Sequence, residues 1–151
     1  MRSDRKTVDG WLEMVHDHDI VRVDSKGRIT VPLRVREELG LQSGTYVTVK
    51  LEREEKRASI SLFAGSDAHL VELHLKIPDR PGALARAAKV LGDANLDLMM
   101  SSSRTIKKGD LAEWIVVADA SQSGVPLEEV KKKILESRAV IALEVKEFAT
   151  E

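Results

Sequence analysis

The chain contains no cysteine, only 4 prolines and 3% aromatic residues. Without cysteine there is no disulfide, no Cys-ligated zinc and no thiol nucleophile, as suits a reducing cytoplasm. With so few aromatic rings, the core falls to Val, Leu, Ile and Ala. Long apolar runs are also missing. The longest, Trp114–Ala118 and Ala139–Leu143, are five residues each, against the roughly 20 that a membrane helix needs. The polar opening MRSDRKTVDG does not read as a signal peptide, so a cytoplasmic location is expected. Neither sign of charge dominates: 24 Lys and Arg stand against 25 Asp and Glu, for a net charge of -1. That excludes coating nucleic acid through bulk positive charge, but it leaves local basic patches open.

Catalytic signatures are absent as well. There is no Gly-x-Ser-x-Gly elbow, phosphate-binding glycine loop or zinc-hydrolase histidine motif, and Ser101-Ser102-Ser103 has no neighbouring His–acid pair. His16-Asp17-His18-Asp19 alternates imidazole and carboxylate, but no second cluster exists to complete a coordination shell, so the stretch reads as a solvated linker. No enzyme, catalytic residue, metal or cofactor is expected.

What is present, 151 residues with 42% apolar and 32% charged side chains, fits one average globular domain or two small modules. The clearest boundary is Ala64-Gly65-Ser66-Asp67, where small and polar residues separate two stretches of strand alternation. The chain therefore divides into an N-terminal segment (1–18), a first module (19–63), a linker (64–68) and a second module (69–151). Residues 1–18 read equally as a turn or two of amphipathic helix around Trp11, Leu12 and Val15 or as a frayed tail.

In the first module, Ile20–Asp24 and Arg28–Val31 read as strands joined by the Ser25-Lys26-Gly27 turn. Pro32 stops them, and Leu33–Leu39 reads as a short helix ended by Gly40. After the Ser43-Gly44 turn, Val47, Val49 and Leu51 alternate with polar residues. The charged loop Arg53–Arg57 then leads to a strand carrying Ile60 and Leu62. So small a segment buries little apolar surface and is marginal as an independent fold, and without cysteine or an evident metal site oligomerisation is the expected remedy. Its cations are concentrated: Arg22, Lys26, Arg28, Arg34 and Arg36 face the single acid Asp24, a local charge of about +4.

The stretch VDSKGRITVPLRVREELGLQSG, with Asp24, Gly27, Arg28, Pro32, Leu39 and Gly40 as its core, resembles the AbrB/MazE/SpoVT family of swapped-hairpin DNA-binding domains over about Ile20 to Phe63. The resemblance implies a small β-barrel made by two interleaved chains, with Arg28 and Arg36 at positions of the DNA-facing arginines. It implies double-stranded DNA as the partner, contacted by Arg22, Lys26, Arg28, Arg34 and Arg36. The pattern is incomplete, because Glu37 and Glu38 follow Arg36 where some DNA-binding members carry a second arginine. Arginine suits the role since its planar guanidinium bonds phosphate oxygens in pairs or reaches guanine O6 and N7.

In the second module Val71, Leu73, Leu75 and Ile77 alternate with Glu72, His74 and Lys76, giving a half-buried strand. Asp79-Arg80-Pro81-Gly82 breaks it, and Leu84, Ala87, Ala88 and Leu91 recur at helical spacing up to Ala94. Leu96–Thr105 and Glu113–Asp119 read as a hairpin around Lys107–Asp110. Pro126 then opens a helix with Leu127, Val130 and Ile134 on one face and Glu128–Lys132 and Glu129–Lys133 as ion pairs. Ile141, Leu143 and Val145 give the last strand. The order is βαββαβ, an α+β ferredoxin-like sandwich with helices over one sheet face. The turn before the first helix exposes unbonded N–H groups, which attract carboxylate, and Gly82 lets a ligand approach the backbone. Met99 and Met100, at the middle of the second strand, read as the lining of an adaptable pocket, or one of them as core packing.

The stretch IPDRPGALARAAKVLGDANLDL, in this context, resembles an ACT domain from about His69 to Phe148. The resemblance implies an amino-acid effector held between two such domains by Asp79, Arg80, Pro81, Gly82, Ala83, Leu84 and, from the start of the second strand, Asn95. Asp79 stands where some binders carry Asn. The whole reads as a cytoplasmic transcriptional regulator that binds DNA as a homodimer or higher homo-oligomer and tunes operator binding through an ACT-bound small molecule. Two alternatives stand beside it: a non-enzymatic, oligomerising regulatory subunit with a ligand-free ACT domain, and an antitoxin-type protein partner.

Overall fold

The structure, a computed structural model, describes residues 18–148. The chain divides into two compact units, Met1–Phe63 and Ala64–Glu151. The amphipathic-helix or tail reading of residues 1–18 falls, up to residue 17, outside the described residues.

In the N-terminal unit, helix α1 (Leu33–Leu39) follows Pro32 at φ -56°, ψ 147° and ends at Gly40 in the left-handed region, φ 68°. Both ends are set by backbone chemistry: proline has no N–H to waste at a helix start, and glycine takes positive φ without a Cβ clash. Strands β1 (Tyr46–Glu52) and β2 (Arg57–Ala64) form a two-stranded sheet. The expected strands Ile20–Asp24 and Arg28–Val31 are not strands in the single chain. Their turn is present, closed by Gly27 N donating to Asp24 O (3.0 Å) and Asp24 N donating to Arg28 O (2.9 Å), but no neighbouring strand continues the ladder.

This unit has no buried residue among those described. On β1 the apolar face is the uncovered one, with Val49 66% and Leu51 58% exposed, and Val23, Ile29, Leu33 and Leu62 are exposed as well. A two-stranded sheet beside a seven-residue helix offers no second layer to cover these side chains.

The C-terminal unit does have a core. Strand β3 (Leu70–Pro78) leads to α2 (Ala83–Asp93), β4 (Asp97–Lys107), β5 (Leu111–Asp119), α3 (Leu127–Glu136) and β6 (Ala142–Glu147). This is the expected βαββαβ order, in an antiparallel sheet arranged β4-β5-β3-β6. Val71, Leu73, Leu75 and Ile77 on β3 and Ala112, Trp114, Val116 and Ala118 on β5 point to one face. There they pack with Ala87 and Leu91 of α2 and Val130 and Ile134 of α3. The other face carries Glu72, His74, Lys76, Glu113, Ile115 and Val117, all half-buried. The ion pairs of α3 differ from expectation. Glu128 meets Lys131 at 2.6 Å, one turn on its near side, and Lys132 turns toward Glu136 at 3.8 Å. Of the two methionines of β4, Met99 is half-buried and Met100 is 53% exposed.

Leu73 is fully buried at the centre of this core. Leu73→Ala is expected to lower the unfolding free energy of the C-terminal unit by about 2–5 kcal/mol, measured by urea denaturation followed through tryptophan fluorescence. Lys89→Ala, on the exposed side of α2, is expected to change it by less than about 0.5 kcal/mol.

Candidate nucleic-acid interface and ligand pocket

The turn at Asp24–Arg28 is built around one carboxylate. Asp24 Oδ1 accepts hydrogen bonds from the backbone N–H of Lys26 (2.8 Å) and of Arg28 (2.9 Å). Asp24 Oδ2 accepts from Arg28 Nε at 2.8 Å and from its Nη2 at 2.8 Å. Gly27 reverses the chain at φ 79°. The backbone bond from Arg28, its side-chain bond and the Lys26 amide together hold the Asp24 carboxyl below its ordinary value of 3.8, against a small opposing effect of burial.

The five candidate DNA-contacting cations fall into two kinds. Arg28 and Arg34 are each met by a carboxylate, Arg28 by Asp24 and Arg34 by Asp19 at 2.9 Å. Arg22 and Lys26 make no side-chain ion pair among the described residues, and Arg36 donates Nε to the Val31 carbonyl at 3.1 Å while keeping its charge uncompensated. Arg34 and Arg36, two residues apart on α1, leave the helix about 200° apart. Glu37 and Glu38 are both exposed.

In the C-terminal unit, a pocket of about 200 Å³ lies where β3 ends and α2 begins. Ile77, Pro78, Asp79, Arg80, Ala83 and Leu84 line one side of it, and Ser103, Arg104, Thr105 and Ala112 the other. Asp79, Arg80, Ala83 and Leu84 are thus brought together around one pocket. Pro81, Gly82 and Asn95 do not line it. Gly82 caps α2 at φ 81°, with Arg86 Nη1 3.1 Å from where a Cβ would stand. Asn95, at φ 54°, lies past the far end of α2, which at 11 residues is about 16 Å long. The lining residues of β4 and β5 carry no sequence signal of their own, because they reach the pocket only through the sheet pairing.

Asp79 has its carboxylate committed inside the chain. Its Oδ2 accepts from Gly109 N at 2.7 Å and its Oδ1 from Thr105 Oγ1 at 3.2 Å, while its own N–H donates to Asp110 O at 3.1 Å. It thereby ties the β4–β5 turn to the mouth of the pocket. Arg80 is exposed and has no ion-pair partner among the described residues. Met99 and Met100 do not line this pocket. Among the described residues no group of three or more His, Asp or Glu could hold a metal ion. His16 and Asp17 lie outside those residues.

On the open sheet face, Glu113 Oε2 accepts from Arg104 Nε at 2.7 Å and Oε1 from Lys76 Nζ at 3.4 Å. The Arg104 hydrogen bond, with Lys76 behind it, holds the Glu113 carboxyl below its ordinary 4.5. Asp119 is also held low: partial burial pushes it up, but hydrogen bonds from the backbone N–H of Ser121 and His69 outweigh that.

Two family models match the chain. Residues 20–58 match "Antidote-toxin recognition MazE, bacterial antitoxin" and residues 71–134 match the ACT domain. The protein therefore joins an N-terminal MazE-type region to a C-terminal ACT domain. Neither is a catalytic family, and the pairing fits a regulator. Comparison with curated proteins finds no match. A solved structure titled "GqqA- a novel type of quorum quenching acylases" is similar over 82% of this chain and 67% of its own, at 15% identity and a TM-score of 0.45, a likeness too slight to carry an argument. No helix among the described residues is long and apolar enough to cross a membrane.

A carboxyl whose pKa is lowered on folding stabilises the fold above its unfolded value and loses that contribution as pH falls through the folded one. For Glu113 the loss begins below about pH 4.5. Glu113→Gln is expected to lower the Tm at pH 7 and to flatten its decline below pH 4.5, the two proteins converging in acid when followed by circular dichroism.

Proposed function

We propose that this protein is a non-enzymatic, cytoplasmic transcriptional regulator. In this reading its MazE-type region (19–63) binds double-stranded DNA as part of a homodimer or higher homo-oligomer. Its ACT domain (69–151) binds a small effector of the amino-acid class and tunes operator affinity. The observation that carries the reading is the N-terminal unit itself: its apolar strand face is uncovered, and Arg22, Lys26 and Arg36 make no side-chain ion pair among the described residues. A second copy would bury the apolar face, and DNA phosphates would meet the cations.

The pocket at the β3–α2 turn supports the sensing half. Arg80 and the N–H groups of Leu84 and Ala85 suit a carboxylate, the Ala83 N–H being already given to Arg80 O at 3.1 Å. Asp79, its oxygens already engaged, acts in this reading by shaping the pocket mouth rather than by meeting an ammonium group. The effector changes operator affinity only to the extent that it binds one oligomeric arrangement better than another.

In fluorescence anisotropy with promoter-derived duplexes, binding is expected to weaken steeply with salt. An Arg28→Ala, Arg36→Ala double variant should lose at least about 100-fold in affinity. No binding at low salt would sink the DNA reading. In a thermal-shift screen of the twenty amino acids, an effector present at about 100 times its Kd is expected to add about 2.7 kcal/mol of stability. If no amino acid raises the Tm, the ACT domain serves only for assembly.

A second reading, an antitoxin-type partner, is favoured by the description of the matching N-terminal model. A small ribonuclease encoded next to this protein and co-purifying with it would decide for that reading.

A further inference from the structure

We propose that Asp24 makes Arg28 the sequence-reading residue of the interface, by fixing its guanidinium and cancelling its charge. The inference rests on the DNA-binding reading above. Two features of the turn lead to it.

The first is orientation. Asp24 takes the Nε–Nη2 edge of Arg28 with Oδ2, while Oδ1 is bonded to the turn's own backbone. A guanidinium has five N–H donors; with one edge held, the opposite Nη1–Nη2 edge is left, and the Arg28 side chain is 70% exposed. That free edge presents two parallel N–H groups, the fork that fits guanine O6 and N7. An arginine held in this way reaches a base edge without first losing the freedom of a long side chain.

The second is charge. Phosphate binding draws on net positive charge, and each phosphate neutralised steepens the salt dependence by about 0.9 in log–log slope. The Asp24–Arg28 pair is neutral overall, and Asp24 stays ionised because its pKa is held low. It therefore adds little to phosphate affinity. Lys26, two residues away with no ion-pair partner among the described residues, has the opposite character: full charge and a flexible ammonium without a fork. The turn separates the two tasks, with Lys26 for the backbone and Arg28 for a base.

The test uses the full-length protein and a duplex that the wild type selects from a random pool, compared with a scrambled duplex across a salt series. The Asp24→Asn, Arg28→Ala double variant, which removes both charges of the pair and so keeps the turn's net charge, is expected to leave the salt slope unchanged while reducing the preference for the selected duplex by about 5- to 150-fold. Lys26→Ala should do the reverse, making the slope shallower by about 0.9 per site with the preference kept. Asp24→Asn keeps an acceptor for the turn amides and removes the charge. It should bind the scrambled duplex more tightly, with a steeper slope and a lower preference. Arg28→Lys, which leaves Asp24 in place, should lose the preference while folding normally, so the idea remains exposed should Asp24→Asn fail to fold. A shallower slope with the preference intact in the Asp24→Asn, Arg28→Ala double variant would overturn the proposal and leave DNA binding standing. A wild type that binds duplexes without selecting one would overturn this proposal alone, and one that binds no duplex at low salt would overturn both.

Discussion

Every buried hydrophobic residue described lies between Leu70 and Val140. Burial of apolar surface is the main force available to a chain without disulfides or a described metal cluster, and here it is concentrated in one of the two units. The ACT domain spends its alternating strands and two amphipathic helices on a common core. The MazE-type region presents Val47, Val49, Leu51 and Leu62 to solvent in the single chain. Under the proposed function that hydrophobic requirement is met by assembly with a second copy.

Carboxylates do the local organising in both units, and each acts by accepting several donors at once. Asp24 closes a turn and holds an arginine; Asp79 ties a hairpin turn to the pocket mouth; Glu113 draws cations from two neighbouring strands. The near-zero net charge of the whole chain says nothing of how its charges are paired. What matters at the candidate interface is which cations escape such pairing, and that is a question of geometry rather than of composition.

Much of the fold was legible because its signals are local. Pro32 and Gly40 bracket α1, the alternation of Val71 to Ile77 marks β3, and Pro126 precedes α3. Each rests on a backbone or periodicity rule that acts within a few residues. The strand expectation for Ile20–Asp24 and Arg28–Val31 fails in the single chain because a strand is defined by its neighbour, which no local pattern can supply. The same limit applies to the pocket. Asp79 and Arg80 stand out in a turn motif, whereas Ser103 and Thr105 enter through sheet pairing with residues far along the chain. The roles of Asp24 and Asp79 were hidden for a related reason, since a sequence names a carboxylate without saying where its lone pairs are spent.

Strand β4 has an unusual problem, for which Glu113 is the answer. The run Met99-Met100-Ser101-Ser102-Ser103 has no clean alternation of apolar and polar residues, so hydrophobicity alone says little about which side of this edge strand should face the helices. A slip by one residue would exchange its two faces at small cost in burial. Arg104 stands opposite Glu113 on β5, and Lys76 of β3 stands opposite it on the other side. A slipped β4 would turn Arg104 toward the helices and leave Glu113 with one cation in place of two. The ion-pair ladder thus favours the observed alignment of β4 over a slipped one, where the hydrophobic pattern of that strand distinguishes them little.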